Sequence, residues 1–88
     1  MLIVLCRNRV QEFETWKEVF DSHTQSHIDA GLTLINMWRD TADLNNIFFT
    51  FEVSDKKKAI QFMNSPSSVE AGRVSGVLDG EVHFLVNA

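Results

Sequence analysis

A single cysteine, Cys6, in 88 residues leaves no partner for an intrachain disulfide, so a reducing cytosol is the expected setting and the thiol is expected to pack as a small apolar group. Basic residues are scarce: eight Lys and Arg face twelve Asp and Glu, giving a net charge of −4 and a pI near 5.2. A phosphate-binding surface needs clustered cations to release counterions, so nucleic acid is an unexpected partner. The one basic run, Lys56-Lys57-Lys58, reads as a solvated helix start. No apolar run is long enough to cross a bilayer. Met1 to Cys6 is apolar but short and has no basic residues ahead of it, so the chain is expected to be soluble, cytoplasmic and without membrane contact. There is no HExxH pattern, no CxxC pair and no low-complexity segment, so no motif implies a metal or cofactor.

What is present is 44% hydrophobic residues against 23% charged, the composition of one globular domain spanning residues 1–88. The stretch Glu12 to Gly31 reads as an amphipathic helix. Phe13, Trp16, Phe20, His23 and His27 recur on one face, while Glu14, Glu18, Asp21, Ser22, Gln25 and Asp29 take the other, and Gly31 is the stop. Before it, Leu2 to Arg7 is a run of strand formers. After it come strands over Thr33 to Arg39 and Ile47 to Val53, joined by an Asp- and Asn-rich turn from Asp40 to Asn46. Asp55 is a candidate N-cap for a helix carrying Ala59, Ile60, Phe62 and Met63. That helix breaks at Asn64-Ser65-Pro66 and restarts near Pro66, with Ser67 and Glu70 spaced as a capping box, towards Gly76. Asp79-Gly80 reads as a turn and Glu81 to Val86 as the closing strand.

The order strand, helix, strand, strand, helix, strand predicts an α+β, ferredoxin-like βαββαβ domain: a four-stranded antiparallel sheet with two helices on one face. Those helices are expected to cover Ile47, Phe49, Phe51, Val82 and Phe84. Alternation then assigns Leu34, Asn36, Trp38, Phe48, Thr50, Glu52, His83 and Leu85 to the other face, with Val4 and Cys6 from the first strand. Large apolar side chains at roughly 1.5–3 kcal/mol each on full burial make that face an interaction surface. A second copy, sheet to sheet, is the economical cover. The space between the sheets is then the expected ligand cavity, with Asn36, Trp38, Phe48, Thr50 and Glu52 as ligand-binding residues.

Phe13, Trp16-Lys17, Phe20-Asp21, His23 and Gly31, followed by Trp38-Arg39-Asp40, Phe51-Glu52-Val53, Ser65-Pro66 and Glu81-Val82-x-Phe84, resemble small bacterial proteins of the dimeric α/β-barrel superfamily. That group contains the antibiotic-biosynthesis-monooxygenase-like domains, and the similarity spans nearly the whole chain. The resemblance implies a ferredoxin-like protomer, a barrel-forming homodimer and a cavity in each protomer. Haem-degrading members of the superfamily use an Asn, a Trp and a His. This chain offers Asn8 or Asn36, Trp38 and His83, but at no matching positions, and those roles are not carried over.

Two histidines are candidates for acid-base chemistry near neutral pH: His23, on the Trp16 and Phe20 side of its helix, and His83, which alternation points into the expected cavity. His23 and His27, four residues apart, share a helical face but lack further ligands for a metal. The expected function is a homodimer binding a small apolar or aromatic molecule, with monooxygenase-like or isomerase-like chemistry. The alternative is a non-catalytic ligand-sensing or assembly module. The RNA-recognition domain has the same element order, but an acidic chain whose third strand lacks a basic-glycine start does not fit it.

Overall fold

Alternation along Asn46–Val53 organises the sheet. Ile47, Phe49, Phe51 and Val53 are all buried beneath the helices, while Phe48 and Glu52 face the other way. The computed structural model describes every residue from Met1 to Ala88. Its elements are β1 (Leu2–Val10), α1 (Phe13–Ser22), α2 (Thr24–Asp29), β2 (Leu32–Arg39), β3 (Asn46–Val53), α3 (Lys56–Met63), α4 (Pro66–Val74) and β4 (Val77–Val86). The four strands form one antiparallel sheet in the order β2-β3-β1-β4. This is the α+β ferredoxin-like arrangement read from the sequence, with the second helix interrupted before Pro66 as expected and the first, expected to be continuous, divided into two. No helix is long and apolar enough to cross a membrane.

The first division falls at Ser22-His23-Thr24. Ser22 Oγ donates to the Val19 carbonyl at 2.6 Å and Thr24 Oγ1 to the Asp21 carbonyl at 2.8 Å. Side-chain hydroxyls that bond back to the preceding turn compete with the helical ladder, and His23 ends one helix and begins the next. Asp55 caps α3 as expected, accepting from the Lys58 amide. At α4 the cap is Ser65, whose Oγ accepts from the Ser68 amide at 3.2 Å, and not the expected box of Ser67 and Glu70. Gly31, at φ +77°, closes α2 as expected.

Three expectations about the strands are corrected. Val4 and Cys6 lie on the helix-covered face, because β1 pairs Val4 with Phe51 and Cys6 with Phe49. Ile3, Leu5, Arg7 and Arg9 therefore take the open face. Leu34 also pairs with Phe51. An irregularity between Leu34 and Asn36 shifts the phase of β2, so that Asn36 and Trp38 sit opposite Thr50 and Phe48 on the open face while Leu34 does not. Finally, Asp79-Gly80 is not a turn but part of β4, opposite Arg9 and Asn8. A Cβ at Gly80 would lie 2.6 Å from the Arg7 carbonyl oxygen, so the glycine marks a close approach of two strand backbones.

Candidate functional site

The side of α4 that faces the sheet is built from Ser68, Ala71, Gly72 and Ser75, spaced three to four residues apart and so on one helical face. These side chains are too short to reach the strands. The result is a cavity of about 270 Å³ between helices and sheet. Its floor is Cys6 on β1 and Phe49 and Phe51 on β3, and its opposite wall is Trp16, Phe20, His23 and His27. This cavity lies on the helix side of the sheet, across the sheet from the open face on which the sequence pattern placed the expected ligand-binding residues.

The aromatic lining is tightly packed. Trp16 stacks on Phe20 with ring centroids 4.9 Å apart, and Phe49 lies 5.5 Å from Trp16 and 5.3 Å from Phe20. With the Asn8 amide turned so that its oxygen faces the indole, Trp16 Nε1 donates to Asn8 Oδ1 at 3.3 Å, and Asn8 Nδ2 donates to the Arg7 carbonyl at 3.0 Å. The opposite orientation satisfies neither neighbour. Cys6 is 5% exposed, and burial pushes its thiol up to about 12, so at neutral pH it is a neutral, apolar part of the floor.

Both histidines of the α1-α2 face line the cavity. His23 Nδ1 lies 2.9 Å from the Val19 carbonyl oxygen. A carbonyl only accepts, so that nitrogen is the donor, and in the neutral ring the lone pair is on Nε2. His27 sits among Phe20, Phe51 and Phe62, at centroid distances of 4.9, 5.1 and 5.6 Å. Burial in that cage, and secondarily the neighbouring His23, lower its pKa from the ordinary imidazole value. Both effects favour neutral His27. No third His, Cys, Asp or Glu converges with them to make a metal-holding group.

The other residues singled out in the sequence lie elsewhere. Asn36, Trp38, Phe48, Thr50, Glu52 and His83 share the open face, and none of them lines the cavity. His83 is exposed, with Nε2 3.4 Å from Glu81 Oε2. Beside it runs a polar ladder: Arg7 reaches Asn46 at 2.9 Å, Asp79 at 3.1 Å and Glu81 at 3.4 Å, and Arg9 Nε donates to Asp79 at 2.9 Å. The hydrogen bond from Arg9 is the main reason that the Asp79 carboxyl lies below its usual range. Next to the ladder, Trp38 and Leu85 are 50% and 41% exposed. Of the sequence candidates, His23 alone reaches the cavity. His27 and Asn8 join it without having been selected, although the i, i+4 spacing of the histidines had already placed His27 on the same face.

No protein-family model matches the sequence, and no curated protein matches it. Solved structures do. A protein of Bordetella bronchiseptica provisionally named an antibiotic biosynthesis monooxygenase superposes with a TM-score of 0.77 at 11% identity, covering 99% of this chain and 96% of its own. An antibiotic biosynthesis monooxygenase gives 0.69 at 16% identity, covering 100% and 99%. The fold is that of the antibiotic-biosynthesis-monooxygenase-like proteins. An uncharacterized NIPSNAP domain protein from Burkholderia xenovorans is similar to the same degree, with a TM-score of 0.69, 18% identity and 100% and 95% coverage. At these identities the likeness is one of fold. The antibiotic-biosynthesis-monooxygenase-like fold accounts for the ferredoxin-like protomer expected from the residue pattern, and fold alone assigns no reaction.

Proposed function

We propose that this chain binds a small aromatic molecule in the cavity between its helices and its sheet, with His23 Nε2 as proton acceptor, and that two copies pair through their open sheet faces. The observation that carries the reading is the cavity: an aromatic chamber with an unspent imidazole lone pair on its wall. Apolar walls with a few placed polar groups are the general make-up of a small-molecule site. An apolar cavity of roughly 150 Å³ accepts benzene, so about 270 Å³ accommodates one or two fused rings. The pairing rests on the half-exposed Trp38, beside Phe48, and on Leu85 on the same face, which a second copy would bury. In this reading Asn36, Trp38, Phe48, Thr50, Glu52 and His83 serve the contact between copies, and the ligand belongs to the opposite side of the sheet.

A second reading has its own observation. No carboxylate lines the cavity to orient either imidazole and stabilise its charged form, which suits a ligand-sensing module without turnover. His23→Leu separates the two: an enzyme loses turnover, whereas a sensor keeps the response its ligand drives. Native mass spectrometry of the purified protein tests the shared core of both by reporting subunit number and retained ligand together. A dimer carrying a small aromatic molecule is expected. A monomer that retains nothing and takes up no bicyclic aromatic compound would overturn the proposal.

A further inference from the structure

Helix α2 is anchored to the rest of the molecule chiefly by one side chain. It is six residues long, none of them buried, and Ile28 is 56% exposed. A helix this short does not sustain itself in water. Of its residues only His27 reaches the cavity, where its ring rests on Phe20 from α1, Phe51 from β3 and Phe62 from α3. Both ends of α2 are suited to bending. At His23 one helix stops and the next begins. At the other end Gly31, with φ +77°, is fixed just past β3, where its carbonyl accepts from the Ser54 amide at 3.0 Å.

The charge of His27 decides whether that anchor holds. No hydrogen bond stabilises an imidazolium there, and its titratable neighbour on α1, His23, is a like charge once protonated. Every other charged group on the surrounding elements is turned away. Asp29 of α2 accepts from Gln25 Nε2 at 2.9 Å and shares a separate cleft with Lys58 of α3. Glu52 of β3 faces the open side of the sheet, Arg39 of β2 lies over Phe13, and Glu70 and Arg73 of α4 pair with each other. Cys6 on the cavity floor is neutral. Burial therefore disfavours the charged ring while α2 is closed. An open α2 returns the ring to water, where it takes up a proton at the ordinary imidazole value, so acid favours the open form.

We infer that α2 is a lid on the cavity, hinged at His23 and Gly31 and held shut by neutral His27 in its cage of three phenylalanine rings, and that protonation of His27 releases it. The lid depends on how α2 is attached, so it holds whatever enters the cavity.

Hydrogen exchange on the full chain, with each rate divided by its intrinsic value at that pH, tests this. The α2 amides, those of His27 and Ala30 among them, read local opening, and the β3 amides read global unfolding. Between about pH 7.5 and pH 5 the protection of the α2 amides should fall severalfold, by at most about tenfold for each pH unit below the ordinary imidazole value, while β3 keeps its protection. In His27→Phe, which keeps a ring in the cage and takes up no proton, α2 should stay protected throughout. The wild-type profile is decisive even if that variant does not fold. Protection of α2 that ignores pH, that falls only in step with β3, or that rises in acid, as capture of the imidazolium by the ring faces would produce, overturns the lid. A pH dependence that survives in His27→Phe overturns the role of His27.

Discussion

Phe48 and Phe49 are neighbours in β3 with opposite fates, and replacing each by alanine should have opposite consequences. Phe49 is 6% exposed and packs against Trp16, Phe20 and Phe51 at 5.5, 5.3 and 5.8 Å. Removing a buried phenylalanine costs about 3–5 kcal/mol, because the lost transfer energy is joined by the cavity left behind. At about 0.05–0.15 kcal/mol per residue, 88 residues give a total stability of very roughly 4–13 kcal/mol. Phe49→Ala should therefore lose between about a quarter and all of it. Phe48 pairs with Arg7 and Trp38 on the open face. Each copy in a face-to-face dimer buries one, so truncation removes two apolar side chains per interface. At roughly 1.5–3 kcal/mol each, dimerisation should weaken by a hundredfold or more.

Urea unfolding at two protein concentrations, with sedimentation equilibrium alongside, distinguishes these outcomes. Loss of dimer lowers apparent stability in a concentration-dependent way, by mass action; loss of core does not. Phe49→Ala should shift the midpoint equally at both concentrations. Phe48→Ala should lose its concentration dependence and sediment as a monomer. If Phe48→Ala leaves assembly unchanged, the open face is not the interface. If Phe49→Ala is tolerated, the face assignment of β3 is wrong.

Gly72→Ala should stabilise by about 0.5–1 kcal/mol, because an alanine Cβ there meets nothing within 4 Å and glycine is a poor helix interior; thermal unfolding should rise by several degrees. Gly80→Ala should cost about 2 kcal/mol or more in a urea melt, since its Cβ would lie against the Arg7 backbone oxygen, which no rotamer change can move. His27 has a lowered pKa in the folded chain, so the unfolded chain binds the proton more readily. Its stability contribution is intact above the unfolded value near 6.5 and is lost as pH falls below that through the folded-state value. His27→Phe should remove this part of the acid sensitivity, seen as a flatter midpoint between about pH 7 and pH 5. Cys6, with its thiol raised to about 12, should resist a thiol reagent at neutral pH in the folded chain and react fully once urea unfolds it.

The parts of the fold legible in the sequence were those in which one local pattern has one solution. Ile47-Phe48-Phe49-Thr50-Phe51 alternates clearly enough to fix its own faces. Asp40 and Asp43 fold the turn between β2 and β3 by accepting from Ala42 and Asn45. Leu2 to Cys6 is apolar at every position, so it carries no phase, and only its pairing with β3 reveals that Val4 and Cys6 face the helices. The cap of α1 was beyond local reading altogether: Glu12 makes no side-chain cap, and the Phe13 amide donates instead to Asn45 Oδ1, 32 residues away.

The place of the cavity in the protomer depends on side-chain volume, which strand alternation does not carry. Covering a sheet requires volume as well as a second layer. α1 fills its share with Trp16 and Phe20, but α4 offers only hydroxyls, a methyl and a hydrogen atom from Ser68, Ser75, Ala71 and Gly72. That inequality between two helices on one sheet opens the void, and it was present in the spacing of those four small residues. The same inequality divides β3: Phe49 and Phe51 line the cavity, while Phe48 and Thr50, one residue out of phase, lie on the face that no helix covers.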